Sequence, residues 1–191
     1  MTLAAIDRLS PVKATVHRGT SEVGINRRGR MPDGTTTMLP NPDGHLNRDL
    51  WVLDVHAVDG SDRCVVFNYG CHPVTVYGYA WSAISADYVG VTRRELVARL
   101  GSDTHAQFIQ GFAGNVRPRQ LADFEEGRFR KSQPEDTKLT GQALANDVMA
   151  TLGRAGETLN IDFRFASGTV LAPRDQDAIP PLSHWETFAK S

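Results

Sequence analysis

Most of the marks that assign a sequence to a class at sight are missing here. There are only two cysteines in 191 residues, Cys64 and Cys71, too few for a disulfide framework. On one extended strand they would stand roughly 23 Å apart at about 3.3 Å per residue. A disulfide needs Cα atoms about 6 Å apart, so these two pair only across a sharp bend. An excess of charge of one sign is missing too: 21 Lys and Arg against 22 Asp and Glu leave a formal net charge of -1. That removes any global electrostatic case for nucleic acid or an anionic membrane as partner. No apolar run approaches the roughly 20 residues of a membrane span, so no transmembrane segment is expected. The start, MTLAAIDRLSPVKATV, has no basic region followed by an apolar one, hence no secretory signal. The compartment stays open. Internal repeats and low-complexity tracts are absent, and so is a Gly-Lys-Ser/Thr phosphate loop. A dinucleotide fingerprint is excluded because Pro118 stands where its helix would open.

What is present is the balance of a globular protein, 40% hydrophobic and 23% charged, with length for one domain and a real core. Residues 2–9 read as the last turns of a helix, and a domain opening on a helix end reads as a piece of something larger. Residues 12–17 alternate apolar and polar, the mark of a half-buried strand. Residues 18–47 carry Gly, Pro, Asn and Asp throughout and no hydrophobic period, which predicts a long irregular loop. Residues 50–58 and 63–69 read as strands, and Asp59-Gly60 between them predicts an antiparallel hairpin. The second strand should lie well inside a sheet, with Val66 in the core, and His56 should be a packed strand residue, not a ligand.

From 85 to 100 the period becomes helical. Ser85 or Asp87 can cap it, Val89, Leu96, Val97 and Leu100 share a face, and Gly101 ends it. A short strand over 105–110 comes next, then an exposed charged excursion over 124–137. A second helix over 140–152 has Leu144, Ala145, Val148 and Leu152 on one side and Gly153 as its stop. Residues 161–165 alternate as a strand, and the proline-bearing tail from 173 has no element. The sum is one α/β domain over residues 1–191, a mixed β-sheet with flanking helices.

Chemistry-bearing residues gather in three places. The strand at 64–69 delivers Cys71-His72-Pro73 at its end, and Pro73 turns His72 out of helical geometry; loop ends on a rigid scaffold often carry function. The bland alternative is a histidine hydrogen-bonded at a strand end. Asn26-Arg27-Arg28-Gly29-Arg30 sets three guanidiniums within four positions, suited to carboxylate or phosphate, although solvated loop charges are the commoner use. Gly111-Phe112-Ala113-Gly114-Asn115-Val116-Arg117-Pro118-Arg119 succeeds a strand with glycines that permit close backbone approach by a ligand.

These stretches in order, with Ile84-Ser85-Ala86-Asp87-Tyr88-Val89-Gly90 between them, resemble the catalytic domain of the neutral/alkaline non-lysosomal ceramidases and their bacterial relatives. The resemblance covers roughly residues 12–152. It implies a partial ceramidase-type α/β hydrolytic domain with one zinc ion as cofactor, held by two histidines, a glutamate and a tyrosine. It also implies a lipid or amide small molecule as substrate, and members are often secreted or membrane-associated. His72 inherits the role of one metal ligand. Zinc takes neutral imidazole, lowers the pKa of bound water to about 7 and polarises a carbonyl. Asp87, Gly114, Arg27 and Arg28 inherit substrate binding, and Asn115 and Arg117 fall at catalytic positions.

The ceramidases proper have Asp-Val-Ser-Pro where this chain has Asn115-Val116-Arg117-Pro118. The family's other zinc histidine lies upstream of the Asn-Arg-Arg segment, before this chain begins, and its Glu and Tyr ligands lie downstream. Two alternatives stand beside the hydrolase: a catalytically silent α/β module, and an anion- or phosphate-binding domain built on the 111–119 loop. The Arg117 guanidinium is expected within about 10 Å of His72, at the scale of one small-molecule pocket.

Overall fold

In the computed structural model, residues 6, 7, 9–160 and 166–171 are described. Contacts divide the chain into two units, Met1–Ile161 and Asp162–Ser191. In the second, residues 166–171 are exposed and carry no regular element. The strand expected at 161–165, the tail from 173 and most of the helix end expected at 2–9 lie outside the described residues.

The first unit is organised by burial that alternates with the pleat. Its strands are β1 (Val12–Thr20), β2 (Gly24–Arg30), β3 (Thr36–Asn41), β4 (Asp49–Ala57), β5 (Arg63–Tyr69), β6 (Thr104–Gln110), β7 (Val116–Pro118), β8 (Ala122–Asp123), β9 (Arg128–Phe129) and β10 (Glu157–Thr158). Two helices, α1 (Asp87–Leu100) and α2 (Pro134–Leu152), accompany them. Five strands form one sheet in the order β10-β1-β4-β5-β6. The β4–β5 hairpin is antiparallel, as Asp59-Gly60 predicts, with Gly60 at φ 76. The β5–β6 pair is parallel, so the chain needs a crossover between them, and α1 provides it. The sheet is therefore mixed, and the expected α/β class is the observed one.

Leu50 and Val52 from β4, Val65, Phe67 and Tyr69 from β5 and Ala106 from β6 turn to one face. There they meet Leu96 of α1 and Leu144, Ala145 and Val148 of α2, each with no exposed surface except Ala106. Phe67 and Phe108 tilt against each other with centroids 5.3 Å apart. Val66, expected in the core, points to the other face and is only half-buried. The period-two rule decides this: if Val65 and Phe67 face the helices, Val66 cannot.

Two further expectations are corrected. Residues 18–47 are no loop: they contain β2 and β3, which with β7 make a second sheet in the order β3-β2-β7. No hydrophobic period is visible because one buried position is a polar Asn26 and two are the glycines Gly24 and Gly29. The turn is closed by Asp33, whose carboxylate accepts from the Thr35 amide and hydroxyl, with Gly34 at φ 84. The second correction is that α2 opens at Pro134, inside the segment read as an excursion, and not at residue 140. Gln133 and Asp136 form a reciprocal capping box, and Pro134 at the first turn lacks an N–H that would be orphaned there anyway. The early part of that excursion is the turn and second strand of the small β8–β9 hairpin, with Gly127 at φ 59.

Candidate functional site

The site is built where β5 and β6 end side by side. The Gly111 amide donates to the Tyr69 carbonyl at 2.9 Å, and a Cβ on Gly70 would stand 2.5 Å from the Phe112 carbonyl oxygen. Only glycine permits that crossing of the two chains. Two buried phenols anchor the chain as it leaves β5. Tyr69 accepts from the Gly24 amide and donates to the Ser21 carbonyl, both at 3.0 Å, tying the large sheet to the start of β2. Tyr88 of α1 donates to the Cys71 carbonyl at 2.8 Å. Burial pushes the Cys71 thiol up to about 12, which disfavours the thiolate that a metal would need.

His72 is the first half-buried residue beyond that anchor. Its amide donates to the Val116 carbonyl at 3.4 Å, and its ring Nδ1 lies 3.0 Å from the same oxygen. A carbonyl oxygen only accepts, so the proton sits on Nδ1 and the neutral ring keeps its lone pair on Nε2. A metal-ligating histidine is commonly oriented in this way. Among the described residues, however, no group of three or more His, Cys, Asp or Glu gathers in a way that could hold a metal ion. The fit to zinc is thus one oriented imidazole without a three-ligand set among the described residues.

The 111–119 loop and β2 meet as neighbours. The Arg27 amide donates to the Asn115 carbonyl at 2.8 Å, and its guanidinium donates to the Gly114 carbonyl at 3.1 and 3.3 Å. The Asn115 and Asn26 side chains both donate to the His45 carbonyl, at 2.9 and 2.7 Å, and Asn26 also accepts from the Arg28 amide at 2.7 Å. A Cβ on Gly114 would meet nothing within 4 Å, so the backbone there borders open space. Arg28 is exposed. Arg117 lies on β7 opposite Ile25, one residue from the carbonyl that orients His72. Its Nη1 is 3.0 Å from Met38 Sδ, its guanidinium lies 5.0 Å from the Phe129 ring centre, and its Nε is buried with no hydrogen-bond partner. Burial first, then the neighbouring Arg27 charge, hold its pKa down. Among the described residues Arg117 makes no ion pair with Asp123, whose carboxylate accepts from the Glu126 amide.

Asp87 sits apart from this cluster. It is buried at the start of α1 with φ 52, a left-handed conformation that costs a non-glycine residue. Its carboxylate offsets the strain by accepting from the Thr75 hydroxyl at 2.5 Å, the Val76 amide at 2.8 Å and the Tyr88 amide at 2.7 Å. The expected cap takes this form: the capping residue is Ala86, and the Ser85 hydroxyl accepts from the Asp87 amide. Asp87 thus faces inward and holds the 73–78 segment onto α1. A groove of about 1430 Å³ lined in part by Asp87 runs between α1, Tyr77, Trp81 and Phe108, and takes in Pro73 but none of His72, Arg27 or Arg117. The structure therefore ties His72 to β7 through the Val116 carbonyl and Arg27 to Gly114 and Asn115. Arg117 is next in the chain after Val116, and Asp87 and Arg28 have no part in these contacts. Sequence reasoning missed Tyr69 and Asn26, which hold the cluster in place. A polar tip ending an apolar strand, and an Asn beside two arginines, were the only signals.

The class this geometry defines is a mixed α/β fold with a histidine presented at the ends of adjacent strands. No protein-family model and no curated protein matches the sequence. Solved structures do match in fold. Neutral ceramidase from Pseudomonas aeruginosa superposes with a TM-score of 0.58 at 19% identity, over 82% of this chain and 25% of that one. A ceramidase complexed with C2 gives 0.57 at 17% identity, over 81% of this chain and 24% of that one. The fold is ceramidase-like, and the chain spans about a quarter of the length of these structures. Among the described residues, no helix is long and apolar enough to cross a membrane.

Proposed function

We propose that this chain carries part of the catalytic scaffold of a zinc-dependent amidohydrolase, acting on the N-acyl amide of ceramide or a related lipid or amide. The supporting observation is the His72 ring, held through Nδ1 by the Val116 carbonyl with Nε2 left to ligate, in a ceramidase-like fold. When bound, zinc would supply an activated water and a polarised carbonyl. His72 would hold the metal as one ligand. Arg27, with Gly114 and Asn115 fixed around it, would orient the substrate amide beside that position.

The described residues fit a second reading, a catalytically silent module, because among them a single oriented histidine makes no zinc site. Calorimetric zinc titration of the parent chain and His72→Ala tests both. Weak uptake, lost in the variant and unaccompanied by hydrolysis of a short-chain ceramide, is expected. One tight zinc per chain that survives His72→Ala would overturn the assignment of the ligand. Tight zinc lost on His72→Ala, with hydrolysis, would overturn the silent reading.

A further inference from the structure

An arginine that buries part of its guanidinium commonly meets a carboxylate, and Arg117 does not. The ion pairs among the described residues engage Arg48, Arg63, Arg99, Arg128, Arg130, Lys138 and His56, and neither Arg117 nor Arg27 takes part in one. Arg117 directs Nη1 at a thioether, a weak acceptor, and leaves Nε buried and unpartnered. A buried donor left unmatched on a charged group is costly and asks for an acceptor. Arg27 adds to that cost, since its charge acts directly on Arg117. The two lie near each other across the β2–β7 pair, with Arg117 opposite Ile25 and Arg27 two residues further on. Diagonal neighbours of this kind sit about 7–8 Å apart, within reach of long side chains. Like charges at diagonal positions that feel each other, with no ion pair to either among the described residues, are suited to an oxyanion that bridges them.

We propose that Arg27 and Arg117 form a receptor for an oxyanion, a carboxylate or phosphate carried by a small-molecule ligand that enters beside His72. Three features shape it. The Phe129 ring under Arg117 holds the guanidinium plane in place. The Gly114 carbonyl fixes Arg27. Val116 joins the receptor to His72, because its carbonyl orients the imidazole and the next residue is Arg117. Resting on the amidohydrolase reading for its substrate class, the proposal gives the scissile amide an anionic substituent, as in an N-acyl amino acid or a phosphorylated amide. The binding itself requires neither zinc nor turnover.

The test is calorimetry on the whole chain without metal, using inorganic phosphate and N-acetylglycine as probes. Saturable binding of at least one probe is expected, falling with added salt and weakened at least about tenfold, or ~1.4 kcal/mol, by Arg117→Met and by Arg27→Met. Arg119→Met is the control, since Arg119 lies over Phe124, outside the pair. Binding of phosphate alone assigns a phosphate-bearing ligand, and binding of N-acetylglycine alone assigns a carboxylate. If Arg117→Met does not fold, Arg117→Lys, which keeps the charge without the fork, should still bind several-fold more weakly. Absence of saturable binding by both probes, or affinity unchanged in a folded Arg117 variant, would overturn the receptor. Failure of the hydrolase reading would show instead in zinc and hydrolysis measurements, and would leave this binding result standing.

Discussion

The two sheets of this molecule are held by different forces. The five-stranded sheet buries Leu50, Val52, Val65, Phe67 and Tyr69 completely against two helices, and water exclusion from apolar surface stabilises it. The β3-β2-β7 sheet has few such residues. Side-chain amides and a guanidinium bind its backbone instead: Asn26 and Asn115 on the His45 carbonyl, Asn41 on the Arg28 carbonyl at 2.8 Å, Arg27 on the Gly114 carbonyl. The first arrangement tolerates substitution of one apolar residue by another of similar volume. The second depends on particular polar groups, and it is the one that presents Arg27, Asn115 and Arg117. In this chain the apolar sheet serves as scaffold and the polar sheet shapes the candidate site.

The largest effect expected lies within the scaffold. Val65→Asp places an unpaired charge on the fully buried face and should abolish the cooperative thermal transition. Val66→Asp, one residue on and half-buried on the other face, should leave a folded protein with a lowered melting temperature. Equal melting temperatures for the two would contradict the assignment of the faces. Next is the tie between the sheets. Tyr69→Phe leaves the Gly24 amide and Ser21 carbonyl without their partner, and urea denaturation should show a loss of about 1–3 kcal/mol. An unchanged midpoint would mean that the two sheets are not joined through this phenol.

Within the polar sheet the effect should be local. Asn26→Ala removes the bonds to the His45 carbonyl and from the Arg28 amide, at a cost of about 1–3 kcal/mol. Hydrogen exchange should quicken in β2 and β3 and stay slow in β4 and β5; equal acceleration everywhere would dissolve the distinction between the sheets. The smallest effect concerns acid. Hydrogen bonds from Arg130, opposed by burial, hold the Asp136 carboxyl below the usual carboxylate range. A depressed carboxylate contributes stability that is fully present above its unfolded pKa of about 3.9 and is lost as pH falls through the lower folded value. Asp136→Asn should therefore flatten the fall in melting temperature below about pH 4. An acid limb as steep as the parent's would show that the α2 cap is not titrating.

The contrast between the sheets also explains what was legible in the sequence. Where apolar burial decides, period decides: the β4–β5 hairpin, β6, α1 and the buried face of α2 could all be read from spacing. The polar sheet has no such signature, since its inward positions include Gly24, Asn26 and Gly29; its partners are fixed by turn chemistry at Asp33-Gly34 and by β7, far along the chain. The start of α2 was hidden for a similar reason. Its Pro134 and charged first turn read as loop composition, whereas the capping box of Gln133 and Asp136 makes them helical. At the site, the cluster of His72 with the 111–119 loop and Arg27 was visible as three separate stretches. That Asp87 turns inward was not, because its three acceptor contacts come from the fold.

The proposed hydrolase function stands on one feature above the others: the His72 Nδ1 lies 3.0 Å from the Val116 carbonyl, which leaves Nε2 without that partner and open to a ligand. Nitrogen-15 NMR of the imidazole rings at neutral pH, continued through a zinc titration, probes that feature at the atom concerned. The expected spectrum shows the Nδ1–H tautomer for His72, and zinc-dependent shifts at its Nε2 before any other described histidine responds. A His72 ring protonated on Nε2, or one that stays unshifted while other histidines take up zinc, would refute the prepared ligand.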